Sequence, residues 1–146
     1  MSASLAIGFA GCAFAHVLVA YASSLPWWVP DLTLIGLIMI VTQVPSQWLL
    51  LSALAGMWMN LWAVRFPGQI LLGYVGVGWL VQILSRSWDT TDLRIQCVCV
   101  FVSSFLLTLW MVWLDHLWTL AVLGWSVVRI VVTVLAVPLV RRMVVR

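Results

Sequence analysis

The sequence contains no lysine and no glutamate, and only 8% of its 146 residues are charged. Soluble domains carry about a quarter charged residues, so a chain of this composition cannot cover its surface in water. The basic residues are not clustered with aromatic residues in a polar region, which excludes a typical nucleic-acid-binding surface. Hydrophobic residues make up 65% of the chain, and its mean hydropathy is +1.17. The composition therefore indicates an integral membrane protein.

The apolar residues fall into six stretches, separated by short segments that contain proline, glycine or charge. They cover approximately residues 3–23, 30–45, 47–64, 68–84, 94–114 and 118–140. Every stretch except the second reaches the minimum of about 17 residues for a membrane-spanning helix. We therefore predict an all-α polytopic membrane protein, in which residues 1–146 form a single domain, a compact bundle of six transmembrane helices.

The distribution of arginine predicts how these helices are oriented. If the N-terminus is cytoplasmic, only Arg65 lies in an outer loop. The cytoplasmic loop and tail then contain Arg86, Arg94, Arg141, Arg142 and Arg146. Cytoplasmic segments carry an excess of basic residues, so this bias favours two cytoplasmic termini. The first stretch ends in a signal-like Ala20-Tyr21-Ala22, but because no basic residues precede it, we expect a retained span.

The second stretch is bracketed by Pro30 and Pro45. Residues 31–44 would form about 21 Å of helix, which is less than the roughly 30 Å of a hydrocarbon core. Two arrangements are compatible with this length. Trp27 and Trp28 could extend the span beyond Pro30, which is tolerated in a first helical turn. Alternatively, the helix is short and lies buried behind its neighbours.

Small and polar residues form a stripe on two of the stretches. In the third stretch, Ser52, Gly56 and Asn60 lie four residues apart and share one helix face. In the first stretch, the corresponding residues are Gly8, Cys12, His16 and Ala20. Small residues let membrane helices approach closely, and asparagine can hydrogen-bond across such an interface. Each stripe therefore packs inside the bundle or binds a helix of another protein.

His16 lies one turn from Cys12, a spacing that resembles half a metal site. Zinc needs three or four protein ligands, and no other histidine or carboxylate is placed to complete the set. Cys97 and Cys99 point about 200° apart on a helix, so they can neither chelate a metal together nor form a disulfide. We expect no metal and no cofactor, with His16 hydrogen-bonded inside the bundle.

Arg129 is the sharpest anomaly, because it lies at the midpoint of the last apolar stretch. A charge at the centre of a bilayer costs at least about 2.5–3.5 kcal/mol, so it needs a partner or a wet cavity. The candidate partners are backbone carbonyls at a broken helix and the side chains of Asn60, Asp115 and Asp31. Arg129 is then either satisfied within the bundle or in contact with another subunit or a ligand.

No group of residues predicts catalysis. Asp115 and His116 are adjacent, but no serine or cysteine is placed to be activated, and we interpret the pair as a polar helix end. The sequence also lacks a glycine-rich phosphate loop, an HExxH motif and carboxylates paired at a useful spacing. We therefore expect a protein that is not an enzyme.

Three consecutive segments of the sequence resemble the rod shape-determining protein MreD family. They read "VPDLTLIGLIMIVTQVPSQW", "ALAGMWMNLWAVRFPG" and "QILLGYVGVGWLVQIL". The matching positions are Pro30-Asp31, Gly56, Asn60 and Gly68, together with the basic tail that follows Pro138. The sequence departs from the family at Asn60, where the family has an acidic residue. The resemblance covers roughly residues 25–85, and the whole chain in length and number of spans.

The resemblance implies a non-enzymatic six-helix subunit, with a fold similar to the vitamin-binding S components of energy-coupling-factor transporters. Such a subunit resides in the bacterial inner membrane and binds the bitopic protein MreC. The wider complex includes the actin-like MreB, the glycosyltransferase RodA and a class B penicillin-binding transpeptidase. It maintains rod shape by organising lateral peptidoglycan synthesis, and no nucleic acid is involved. Partner contacts would then involve Arg129, Asn60, Gly56, Ser52, Asp31 and His16.

Two other functions stay open at this point. The first is a small-molecule-binding subunit like an S component, whose polar pocket would use Asn60, Arg65, Asp115 and His116 near the outer face. The second is an accessory subunit of a photosynthetic or respiratory complex. In that case, His16 could bind the magnesium of a chlorophyll, with tryptophans near the pigment.

Overall fold

Six α-helices form the chain in a computed structural model that describes residues 3–23, 29–62, 68–89, 92–115 and 119–144. They are α1 (Ala3–Ala22), α2 (Leu32–Gln43), α3 (Trp48–Trp62), α4 (Gln69–Ser87), α5 (Leu93–Asp115) and α6 (Leu120–Val144). A short 3₁₀ turn, Pro45–Gln47, joins α2 to α3. The described residues contain no β-strand. The prediction of an all-α chain is therefore confirmed.

Four of the helices are long and apolar enough to cross a membrane. Their candidate spans are Leu5–Ala22, Gln69–Ser87, Leu93–Leu114 and Leu120–Arg142. Much of the outer surface consists of large apolar side chains, such as Leu61, Leu120 and Leu135, which are all strongly exposed. A surface of this kind would drive aggregation in water, whereas lipid tails cover it without cost. The structure is accordingly that of a helical bundle embedded in a membrane.

α2 is the centre of the bundle. All nine residues from Thr33 to Val41 are buried, on every side of the helix. α2 packs against each of the five other helices. A helix that is hydrophobic all round belongs in a core, so the structure agrees with the short, buried arrangement of the second apolar stretch. Trp27 and Trp28, which the other arrangement requires, lie outside the described residues.

The two ends of α2 are set by local chemistry. Asp31 caps the helix, because its Oδ1 accepts a hydrogen bond of 2.9 Å from the Leu34 amide. The helix ends at Gln43. The next residue, Val44, precedes Pro45, and a residue before proline disfavours the helical conformation. The helix is therefore shorter than the expected stretch of residues 30–45.

α3 and α4 form the closest helix pair of the bundle. A Cβ atom added at Gly56 would lie 2.8 Å from the Leu71 Cα, and one added at Gly78 would overlap the Ser52 hydroxyl. Both glycines are thus required by the approach of the two backbones. Gly68 precedes α4 with a φ of 90°, a conformation that favours glycine. Its amide donates to the Asn60 Oδ1 at 3.1 Å, which links the end of α3 to the start of α4.

The two ends of the bundle differ in charge. Successive helices joined by short connections run in opposite directions, so the end of α4, the start of α5 and the end of α6 lie together. Among the described residues, this end carries Arg86, Arg94, Arg141 and Arg142 against Asp89 and Asp92, so its net charge is positive, and we call it the basic end. α6 reaches it with Pro138 inside the helix and extends to Val144, beyond the expected end near residue 140.

Candidate functional site

A buried cluster of polar side chains lies at the start of α2, with Asp31 at its centre. Asp31 is only 3% exposed. The Tyr74 hydroxyl, from α4, donates towards both carboxylate oxygens, at 3.0 Å from Oδ2 and 3.2 Å from Oδ1. With the Leu34 amide on Oδ1, the carboxylate has hydrogen-bond donors at both of its oxygens. The cost of burying this charge is offset by these bonds and by a nearby cation.

That cation is Arg129, on α6. Its Nη2 atom lies 3.6 Å from Asp31 Oδ2, close enough for ion pairing but beyond hydrogen-bond distance. The two charges cancel, which lowers the cost of placing either one within the bilayer. Of the partners that the sequence suggested for Arg129, the structure therefore selects Asp31.

A second contact joins α6 to the start of α2 through the backbone. The Asp31 amide donates to the Thr133 Oγ1 at 3.1 Å, and this bond is buried. The same hydroxyl donates to the Arg129 carbonyl, one turn earlier on α6, at 2.8 Å. Thr133 is therefore fixed in orientation by its own helix, and it positions Asp31 next to Arg129.

His16, on α1, completes the cluster. Its Nδ1 lies 3.1 Å from the Pro30 carbonyl oxygen and 3.9 Å from Asp31 Oδ1. A carbonyl oxygen only accepts hydrogen bonds, so Nδ1 carries the proton in this arrangement, and Nε2 of a neutral ring remains an acceptor. Side chains of α1, α2, α4 and α6 thus meet at one point.

A cavity of about 410 Å³ lies beside this cluster. It is lined by residues of α1, α3, α4, α5 and α6, and by Asp31 at the start of α2. Its polar lining comes from Arg129, Tyr74, Asp31, His16 and the hydroxyl residues Ser104, Thr108 and Ser126. Its apolar lining includes Met59, Trp62, Met111 and Trp125. A second cavity, of about 360 Å³, shares His16, Met59 and Trp62 with the first.

The larger cavity lies towards the end of the bundle opposite the basic end. It is lined by the second half of α1, the end of α3, the start of α4 and the first half of α6. The hypothesis of an S-component-like protein also expects a pocket near the outer face, but it predicts that other residues line this pocket. Asn60 does not line the cavity and instead binds the Gly68 amide. Arg65 and His116 lie outside the described residues, as does the side chain of Asp115.

The six residues that the sequence analysis proposed as partner contacts separate into two groups. Asp31, His16 and Arg129 come together in the buried cluster. Ser52, Gly56 and Asn60 lie elsewhere, along the contact between α3 and α4. The stripe of α3 is thus occupied by a neighbouring helix of the same chain. The stripe of α1 likewise faces α2, where Cys12 contacts the position of Gly36.

Tyr74 and Thr133 belong to the cluster but were missed by the sequence reasoning. A buried tyrosine needs a partner for its hydroxyl, and Tyr74 is an isolated polar group in the glycine-rich segment "LLGYVGVG". Thr133 lies four residues after Arg129, so it shares the helix face of the one charge in that span. These two signals would have pointed to both residues.

Comparison with protein-family models, with curated proteins and with solved structures finds no match to this chain. Among the residues that the structure describes, no three of His, Cys, Asp or Glu are arranged to hold a metal ion. Function therefore has to be argued from the geometry of the cluster, the cavity and the helix surfaces.

Proposed function

We propose that this protein is a non-catalytic inner-membrane subunit of the bacterial cell-elongation complex. It would act as MreD-family proteins do, by binding MreC within the machinery that also contains MreB, RodA and a class B penicillin-binding transpeptidase. The observation that carries the proposal is the position of Asp31. The Pro30-Asp31 pair is one of the positions at which the sequence resembles that family, and Asp31 lies at the centre of the buried cluster.

The position of this pair supports the proposal because the residues that resemble the family include one that joins several helices of the bundle. A short similarity in an exposed loop would say little about the fold. Asp31 instead caps the central helix, accepts a bond from α4 and ion-pairs with α6. A second chain with the same pair at the start of a short apolar helix would be expected to form a similar bundle.

In the proposed arrangement, all six helices are embedded in the bilayer and both termini are cytoplasmic. The basic end faces the cytoplasm, in accordance with the positive-inside rule. α2 has only 12 residues, and α3 has 15, so neither matches the full hydrocarbon thickness. α2 tolerates this because its neighbours enclose it, which lets its polar ends lie within the protein.

A partner helix could bind only to a helix face that is not already packed inside the bundle. The stripes of α1 and α3 are already used inside the bundle, so a transmembrane helix of MreC needs another face. Gly11 on α1, Gly76 on α4 and Gly124 on α6 are exposed, and a Cβ atom at each would meet no atom within 4 Å. Small residues on an outer face permit close helix approach, so these three positions mark the candidate docking faces.

The first experiment asks whether the partner binds. The chain is co-expressed with MreC of the same bacterium, extracted in a mild detergent, and purified through a tag on MreC. We expect the two proteins to purify together in a constant ratio. If MreC is recovered without the chain, under conditions where the chain alone stays folded, the proposed function is wrong.

The second step locates the docking face. Gly11→Leu, Gly76→Leu and Gly124→Leu each add a bulky side chain to the outer surface without a clash inside the bundle. We expect one of them to reduce co-purification at least fivefold while the thermal unfolding of the isolated chain is unchanged. The other two variants are the matched controls. Equal co-purification by all three variants would exclude these faces as the binding site.

A further inference from the structure

We propose that the larger cavity binds the anionic group of an amphipathic molecule, a carboxylate or phosphate attached to an apolar chain, and that Arg129 is the residue that binds this group. The inference goes beyond the proposed scaffolding function. Three observations support it. Arg129, and not Asp31, is the member of the ion pair that is exposed; other hydrogen-bond donors line the cavity; and the rest of the cavity lining is apolar.

The ion pair is exposed to the cavity on one side only. The Asp31 side chain is 5% exposed, whereas the Arg129 side chain is 39% exposed. Both oxygens of the carboxylate already have hydrogen-bond donors, from the Tyr74 hydroxyl and the Leu34 amide. The pair is neutral in sum, but the charge that a molecule in the cavity meets is the positive one.

The guanidinium group keeps most of its hydrogen-bonding capacity. It carries five N–H donors, and within the described parts of the chain its only charged neighbour is Asp31, at 3.6 Å. No hydrogen bond joins the guanidinium group to any of those residues. Unused donors in a low-dielectric site favour an acceptor that carries negative charge, and the planar group suits the paired oxygens of a carboxylate or phosphate.

The rest of the lining matches an amphipathic molecule. Ser104 and Thr108, on α5, line the same cavity as Arg129, and the hydroxyls of both can donate to an oxyanion. The remaining walls consist of methionine, tryptophan, valine, leucine and isoleucine side chains, which accommodate a hydrocarbon chain. A volume of about 410 Å³ is within the usual range of roughly 300–1,000 Å³ for small-molecule sites.

The test uses amphiphiles that differ only in the head group. The purified full-length chain in a nonionic detergent is incubated with dodecyl phosphate or with dodecanol, and binding is measured by native mass spectrometry and by the shift in unfolding temperature. A third arm contains inorganic phosphate alone. We expect dodecyl phosphate to bind in a one-to-one ratio and to raise the unfolding temperature. Dodecanol and inorganic phosphate should bind at least tenfold more weakly.

Two substitutions at the ion pair should change affinity in opposite directions. Arg129→Gln removes the binding group and should weaken dodecyl phosphate binding about tenfold. Asp31→Asn keeps an N-cap and an acceptor for Tyr74 but leaves Arg129 uncompensated, so binding should strengthen. An arginine with a purely structural role would not give this pair of opposite effects. Arg142→Gln removes the same charge from the basic end of the same helix and should leave binding unchanged.

A third substitution covers the case in which Arg129→Gln does not fold. Among the described residues, the Ser126 hydroxyl bonds only to the Val122 carbonyl of its own helix, at 2.7 Å, so Ser126→Leu fills the cavity without removing a group of the ion pair. We expect it to abolish binding in a folded protein. Equal binding of dodecyl phosphate and dodecanol would overturn the proposal. Binding of inorganic phosphate as strong as that of dodecyl phosphate would overturn its amphipathic part. Neither result bears on co-purification with MreC.

Discussion

The contact between α3 and α4 and the contact between α2 and α6 hold helices together in opposite ways. Between α3 and α4, small residues bring the backbones so close that a single added carbon atom at Gly56 would collide. Between α2 and α6, a hydrogen bond to the Thr133 hydroxyl and an ion pair join the helices, and a cavity lies beside them. The first contact is dominated by close packing, with one hydrogen bond between Gly68 and Asn60 at its end, and the second includes several specific polar contacts. The comparison indicates that the second region can accept another molecule, whereas the first cannot.

The largest effect is expected from Asp31→Ala, which removes the centre of the polar contact. The change deletes the cap of α2, the acceptor for Tyr74 and the counterion of Arg129 together. Removing one partner of a buried ion pair costs about 3–5 kcal/mol. We therefore expect the free energy of unfolding in detergent to fall by about that amount. Asp31→Asn is the control, and it should cost clearly less because it keeps the cap and an acceptor.

A smaller effect is expected at the tight contact. Gly56→Leu forces α3 away from the Leu71 backbone, and overpacking of this kind costs about 1–3 kcal/mol. The matched variant is Gly76→Leu on the outer face of α4, where the added side chain meets no atom of the bundle. Thermal unfolding of the two variants distinguishes them. Equal stability of both would mean that α3 and α4 are not in close contact.

The smallest effect is expected from Thr133→Val, which is nearly isosteric. It removes the acceptor for the Asp31 amide but keeps the shape of the side chain. Leaving the buried Asp31 amide without an acceptor costs about 1–3 kcal/mol, and we expect a loss near the lower end of that range in the free energy of unfolding. Thr42→Val is the control, because within the described part of the chain the Thr42 hydroxyl bonds only to the Met39 carbonyl of its own helix. A loss no larger than that of the control would show that the bond to Asp31 adds nothing.

Much of the fold could be predicted from the sequence because the signals are local. Pro30 and Pro45 limit the second helix, and hydropathy marks the others to within a few residues at most ends. Arg129 was recognisable as a residue that needs a partner, since a charge within an apolar helix is costly wherever that helix packs. The proline limits and the need of Arg129 for a partner are properties of single segments.

The pairing of segments was not predictable in the same way. The spacing of Ser52, Gly56 and Asn60 shows that they share a face, but it does not show whether that face meets α4 or another protein. Choosing Asp31 among the candidate partners of Arg129 requires the positions of α2 and α6, which are separated by about a hundred residues. The partner of Tyr74 was unpredictable for the same reason, because nothing near Tyr74 in sequence indicates the carboxylate that it binds.

The enclosure of α2 has a consequence for how the chain is assembled during synthesis. α2 emerges from the ribosome early, yet two of the groups that neutralise and bind Asp31 belong to α6, about a hundred residues later in the sequence. Until Arg129 and Thr133 have been inserted, the nascent membrane domain holds an acidic group without its counterion. A chain that ends before α6 therefore retains the Asp31 carboxylate but lacks the arginine and the threonine that contact this residue.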